Sequence, residues 1–181
     1  MKLLVLYSSC EGQTLKIAQH IVAQQAEPDV QVDYVSLDQR TSWPDLSQYT
    51  KVLIGASIRY GKFRPQLFEY LATYQKSLAT MPVAFFGVCL TARKPEKSRP
   101  ETSVYMQKLN HNAAWMPNLQ AIFAGALLYS RYNWWQTLII QLIMKITGGS
   151  TDTSQDIELT DWAKVNQFSI LFGKLSNKSA S

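Results

Sequence analysis

Val5 to Ile21 reads VLYSSCEGQTLKIAQHI, and the fold follows from this stretch. It continues the apolar run Leu3 to Tyr7, crosses the polar loop Ser8-Ser9-Cys10-Glu11-Gly12-Gln13-Thr14, and resumes with Ile17, Ala18, Ile21 and Val22 at helical spacing. That order is a buried strand, a tight loop and a helix. A phosphate at such a junction can accept backbone N–H bonds from the helix N-terminus, with the Ser9 and Thr14 hydroxyls in support. The loop is equally compatible with a capped helix start and a polar turn. It is neither a Walker loop nor GxGxxG.

Working outward, the strand pattern repeats. Val30 to Leu37 alternates as VQVDYVSL, Lys51 to Ile58 reads KVLIGASI, Val83 to Leu90 reads VAFFGVCL, and Gln120 to Ala126 reads QAIFAGA. Pro65 suits the first turn of a helix over about Gln66 to Ala79, which Met81-Pro82 stops. Strands alternating with helices predict a doubly wound α/β fold with a parallel sheet of five strands. Ligands then bind beyond the carboxyl ends of the strands, at the switch in strand order. Thr91 to Asn118 is too long for an ordinary strand-to-helix connection. Its first part, ARKPEKSRP, is basic and proline-broken, and one helix is expected at about Glu101 to Asn112. A single domain is predicted over 1–175, with an insert at about 91–118 and a frayed tail at 176–181.

The chain has 181 residues, 46% of them apolar, which excludes a disordered or fibrous protein and suits one core. Only 17% are charged, so part of the surface is expected to be apolar. Cys10 and Cys89 lie too far apart for a metal-ligand spacing, and with only two cysteines no disulfide framework is expected. Both read as small packing residues rather than a redox pair. A lipoprotein-type leader ending at Cys10 is not expected, because Leu3 to Tyr7 is too short an apolar run.

The net charge of +5 is too weak to argue for nucleic acid. Its placement is more informative. Loops after strands carry Arg59, Lys62, Arg64, Arg93, Lys94, Lys97, Arg99 and Arg131 with Glu96 as their one acid, a net +7. Ten bases and twelve acids remain elsewhere. His20 and His111 read as surface or capping residues. Tyr60 is compatible with stacking on a ligand or with capping the core. In Trp134 to Ile146, Thr137, Gln141 and Lys145 fall at spacing four, so a helix there is apolar nearly all round. Its length of about 20 Å cannot cross a hydrocarbon core of about 30 Å. The expected setting is burial against the sheet, the other reading being a Trp end dipping into a lipid interface.

Val5, Leu6, Tyr7, Ser9, Gly12, Thr14, Ala18 and Ile21 match the signature of the flavodoxin family. GASIRYG, LTARKPEK and LIMKITGGSTDT, taken with that signature, resemble the flavodoxin-type protoporphyrinogen IX dehydrogenases over about residues 1–172. The resemblance implies a flavodoxin-like enzyme of haem biosynthesis that uses FMN. It implies oxidation of protoporphyrinogen IX to protoporphyrin IX and delivery of electrons to menaquinone or ubiquinone. The implied location is the cytoplasmic face of the bacterial inner membrane, peripherally held, with no signal peptide and no transmembrane helix. By the same resemblance, Ser9, Cys10, Glu11, Gly12, Gln13 and Thr14 hold the FMN phosphate. Ser57, Ile58, Arg59, Tyr60 and Gly61 meet the isoalloxazine ring, with Val88, Cys89, Leu90 and Thr91 beginning a second ring loop.

Glu11 departs from the general flavodoxin pattern and is expected to point outward, away from a phosphate. Arg59, Arg93, Lys94 and Arg131 are expected to meet the substrate propionates. No catalytic acid or base and no metal is required, because flavin chemistry belongs to the cofactor. Two other readings are a flavodoxin-like electron carrier for a protein partner, and a non-enzymatic module binding membrane or nucleic acid through the basic face.

Overall fold

The computed structural model describes residues 1–25, 30–39, 43–113, 115–131, 133–146 and 155–175, the side chains of Arg131, Gln136, Ile143 and Ile146 excepted. The second half of the motif ending GGSTDT and the expected tail lie outside the described residues. Five parallel strands, β1 (Lys2–Ser8), β2 (Gln31–Ser36), β3 (Lys51–Ser57), β4 (Val83–Val88) and β5 (Leu119–Phe123), form one sheet in the order β2-β1-β3-β4-β5. The strand order reverses between β1 and β3. Ser8 pairs with Ala56 and Ser57 with Val88, so the three central strands end side by side at one edge.

The interiors of the central strands are apolar because both faces are covered. Leu3 and Val5 face a core with Ile17 and Ile21 of α1 (Gln13–Ala23) and Phe168 and Phe172 of α5 (Trp162–Gly173). Leu4 and Leu6 face the opposite core, with Leu67, Tyr70 and Leu71 of α2 (Pro65–Ala79) and Met106 and Leu109 of α3 (Val104–Asn112). Alternation along a strand thus feeds two cores. Each fully buried Leu, Ile or Phe contributes about 1.5–3 kcal/mol of transfer free energy. Pro65 opens α2, and Arg64 before it is extended, as a residue preceding proline prefers.

Three details differ from the sequence expectations. The strand predicted over 120–126 is divided: β5 stops at Phe123, and Ala126–Leu127 forms β6, antiparallel to β7 (Ile157–Glu158). The break occurs where the Thr160 hydroxyl donates to the Ala124 carbonyl (2.9 Å) and the Leu159 N–H to that of Gly125 (3.1 Å). The insert helix begins at Val104 rather than Glu101, where the Ser103 side chain accepts from the Met106 N–H (3.5 Å). Leu90–Arg93, Pro95–Lys97 and Pro100–Thr102 before it form three successive 3₁₀ turns.

The third difference is α4 (Trp134–Ile146), expected to lie buried against the sheet. It packs instead on the two-stranded sheet of β6 and β7, where Met144 and Ile140 cluster with Leu127, Tyr129, Ile157 and Leu159. Trp134, Leu138 and Leu142 are 77%, 56% and 59% exposed, so an apolar face is left open. Among the described residues, no helix is long and apolar enough to cross a membrane.

Candidate functional site

The loops after β1, β3 and β4 meet at the reversal in strand order and enclose a cavity of about 310 Å³. Its wall contains Ser9, Cys10, Glu11, Gln13 and Thr14 from the first loop, Ser57 to Gly61 from the second, and Val88 to Thr91 from the third. Gly12 is outside the wall but shapes it, because its φ of 91° turns the chain into α1. No local sequence pattern marks the rest of the wall: Tyr105 of α3, Gly125, Ala126, and Ile139 and Ile140 of α4. Among the described residues, no group of three His, Cys, Asp or Glu is arranged to hold a metal.

The first loop is held from outside the cavity by Asp38, just past β2. Its carboxylate accepts from the Ser8 hydroxyl (2.8 Å) and the Ser9 N–H (3.1 Å), and pairs with the Arg64 guanidinium (2.9 Å). Arg64 also donates to the Cys10 sulfur (2.9 Å), so Cys10 is more than the packing residue expected. Burial alone would lower the Arg64 pKa. The Cys10 bond and the Asp38 charge outweigh it, and the net shift is upward. Within the loop, the Gly12 N–H donates to the Ser9 hydroxyl (3.0 Å). No side chain caps α1, and no acid lies in its first turn, which leaves a helix N-terminus suited to an anion.

The second loop is a two-residue hairpin. Arg59 and Lys62 exchange backbone hydrogen bonds (3.0 and 3.1 Å), and Tyr60 and Gly61 take φ of 50° and 77°, the pattern of a type I′ turn. Glycine accepts this conformation freely, whereas Tyr60 carries a strain of about 1–2 kcal/mol. The turn leaves the ring 67% exposed at the mouth, which excludes the core-capping alternative. Glu11 does not point outward as expected. Its carboxylate pairs with the Arg59 guanidinium at 2.8 Å, joining the first loop to the second, and Arg59 also lies over the Tyr60 ring (5.8 Å). Burial would lower the Arg59 pKa, but Cys10 and Glu11 raise it.

In the third loop, the Cys89 N–H donates to the Phe123 carbonyl (3.0 Å), and burial pushes the thiol up despite Thr91 beside its sulfur (3.3 Å). Both cysteines are free thiols. Arg93 and Lys94 are outside the cavity wall, and Arg93 donates to the Leu90 carbonyl (3.1 Å) of its own turn. The Arg131 side chain lies outside the described residues. Among the described residues, Arg59 and Arg64 of the rim are matched by Glu11 and Asp38, so the rim is less positive than the sequence count implies.

A further cluster went unread in the sequence. Gln13 donates to Glu158 and to the Thr160 hydroxyl (2.8 Å), and Lys16 pairs with Glu158 (2.5 Å). This fastens α1 to β7 and the residues that follow it. His20 bonds Asn166 (2.6 Å) and packs against Trp162, joining α1 to α5, while His111 is exposed at the end of α3.

The cavity chemistry fits FMN. An uncapped helix start with the Ser9 and Thr14 hydroxyls suits the phosphate, and a slot between Ile58, Tyr60, Val88 and Leu90 suits the ring. Sheet order, loops and cavity together define a flavodoxin-type protein. The flavodoxin domain model matches residues 4–154. The fold is similar to that of oxidised flavodoxin 1 from Bacillus cereus, with a TM-score of 0.57, 17% identity, and coverage of 97% of this chain and 100% of that one. The sequence is 40% identical over 178 residues to protoporphyrinogen IX dehydrogenase (quinone) of Escherichia coli strain K12, covering 98% of each chain. It is 45% identical over 175 residues to the Leishmania major protein of that name, covering 96% of this chain and 75% of that one. The chain therefore belongs to the flavodoxin-domain family, in the branch of the protoporphyrinogen IX dehydrogenases (quinone).

Proposed function

We propose that this chain oxidises protoporphyrinogen IX to protoporphyrin IX in haem biosynthesis, with FMN as cofactor and menaquinone or ubiquinone as electron acceptor. The observation that carries the reading is the identity to the Escherichia coli enzyme over 98% of both chains. Residues 9–14 hold the phosphate, Ser57 to Gly61 and Val88 to Thr91 flank the ring, and Tyr105 with Ile139 and Ile140 excludes water from the far wall. Bound FMN supplies the two-electron chemistry at its ring. The protein contributes position, access and charge. Arg59 is the propionate partner at the mouth, with Arg93, Lys94 and Arg131 as more distant candidates.

The open face of α4 supports peripheral attachment to the cytoplasmic side of the membrane. Trp134, Trp135, Leu138 and Leu142 are exposed on a helix of about 20 Å, which suits lying in a lipid interface rather than crossing it. Ile139 and Ile140 of the same helix line the cavity, so an apolar acceptor leaving the lipid meets the site directly. Quinone-dependent formation of fluorescent protoporphyrin by the purified, FMN-loaded protein tests the proposal. Turnover with a quinone supports it, and a flavoprotein that leaves protoporphyrinogen unoxidised overturns it.

A further inference from the structure

Among the described residues, the Asp38–Arg64 and Glu11–Arg59 ion pairs tie the first loop to its surroundings, and they differ in position. Neither Asp38 nor Arg64 is in the cavity wall, and Asp38 is occupied in anchoring Ser8 and Ser9. Glu11 and Arg59 are both in the wall, on opposite loops. The hairpin that carries Arg59 fixes its backbone through two hydrogen bonds, and the side chain is then held between Glu11 and the Tyr60 ring. A guanidinium has five donors in one plane, so engaging Nη2 orients the others without exhausting them. About a third of the Arg59 side chain, 31%, remains exposed.

We infer that Glu11 is a positioning residue that aims Arg59 at a carboxylate of the substrate, and that it does so at the expense of affinity for the cofactor phosphate. The inference rests on the proposed function above. An acid within the loop of residues 9–14 repels a dianion bound there. Arg59 cancels most of that repulsion, so the loop as a whole is close to neutral. Removing the Glu11 charge therefore leaves Arg59 as an uncompensated cation beside the phosphate, and at the same time lets the guanidinium wander from the mouth.

Two measurements on the full chain separate this from a merely structural role. The first is FMN affinity, read by quenching of flavin fluorescence on titration into apoprotein. Glu11→Gln and Glu11→Ala are each expected to tighten binding by about threefold to tenfold, and Arg59→Gln to weaken it by a similar factor, both effects shrinking with salt. The second is the ratio of kcat/KM for protoporphyrinogen as free dicarboxylate and as its dimethyl ester. The natural protein is expected to prefer the free acid, and both Glu11→Gln and Arg59→Gln to cut that preference at least about threefold, chiefly through KM. Weaker FMN binding in both Glu11 variants, or an unchanged acid-to-ester ratio, overturns the inference. Oxidation of neither porphyrinogen by the natural protein overturns the proposed function and the substrate half of this inference, while the FMN titration still tests the other half.

Discussion

Asp38 and Arg64 form an ion pair of 2.9 Å between the loop after β2 and the residue before α2, and the loop after β1 hangs from both of them. Asp38 takes two hydrogen bonds from Ser8 and Ser9, and Arg64 reaches Cys10. Replacing Asp38 with Ala leaves three donors without their acceptor. The expected result is a loss of about 1–3 kcal/mol in urea denaturation and weaker FMN retention on gel filtration.

Tyr60 offers a trade between stability and function. Tyr60→Asn creates an Asn-Gly pair, the favoured type I′ sequence, and relieves the strain of a φ of 50°. Thermal denaturation of the apoprotein should show a gain of about 1 kcal/mol. FMN affinity should fall, because an exposed aromatic surface at the mouth is lost.

Lys51, only 5% exposed, donates from Nζ to the carbonyls of Phe172 and Gly173 (3.0 and 3.2 Å), capping the C-terminus of α5 from the first residue of β3. A buried cation that satisfies the last carbonyls of a helix stabilises through both bonds and dipole. Lys51→Met keeps the stem and removes the cap. Urea denaturation should show a loss of about 2 kcal/mol, with unfolding still cooperative.

The attachment of β7 to α1 should loosen in acid. Burial tends to raise the Glu158 pKa, but the Lys16 hydrogen bond, Thr160, the Lys16 charge and Gln13 bring it below the ordinary value. A carboxyl depressed in the folded state contributes stability that is complete above the ordinary glutamate range and is lost as pH falls through the folded value. The stability of Glu158→Gln should therefore converge with that of the natural protein toward pH 3. Parallel curves across the acid range would contradict the assignment.

Trp134 and Leu138 set the lipid prediction. Trp134→Ala with Leu138→Ser should abolish cosedimentation with anionic vesicles and leave the flavin spectrum unchanged. Retained cosedimentation would place the lipid contact elsewhere.

The strand, loop and first helix were legible because each signal is local: an apolar run, small polar residues, then helical spacing within Leu3 to Val22. The same holds for Pro65 and the start of α2. What escaped depends on distant partners. Asp38 bonds Ser8 across 30 positions and Gln13 bonds Thr160 across 147, and no sequence pattern marks either pair. After Gln120 the stretch AIFAGA has no polar side chain, so the division between β5 and β6 could not be read from it. It is made by Leu159 and Thr160. The exposure of α4 was hidden for a related reason: a helix apolar nearly all round does not say which side is covered. The charge count located the basic rim but not its partners, since Glu11 and Asp38 come from other loops.

The central claim is that this cavity holds a flavin which takes electrons from a porphyrinogen. An absorbance spectrum of the purified protein under anaerobic conditions, before and after adding protoporphyrinogen IX, tests it most directly. A yellow flavin band is expected to bleach as protoporphyrin absorption appears, and to return when a quinone is added. A flavin band that persists unchanged in the presence of protoporphyrinogen would contradict it.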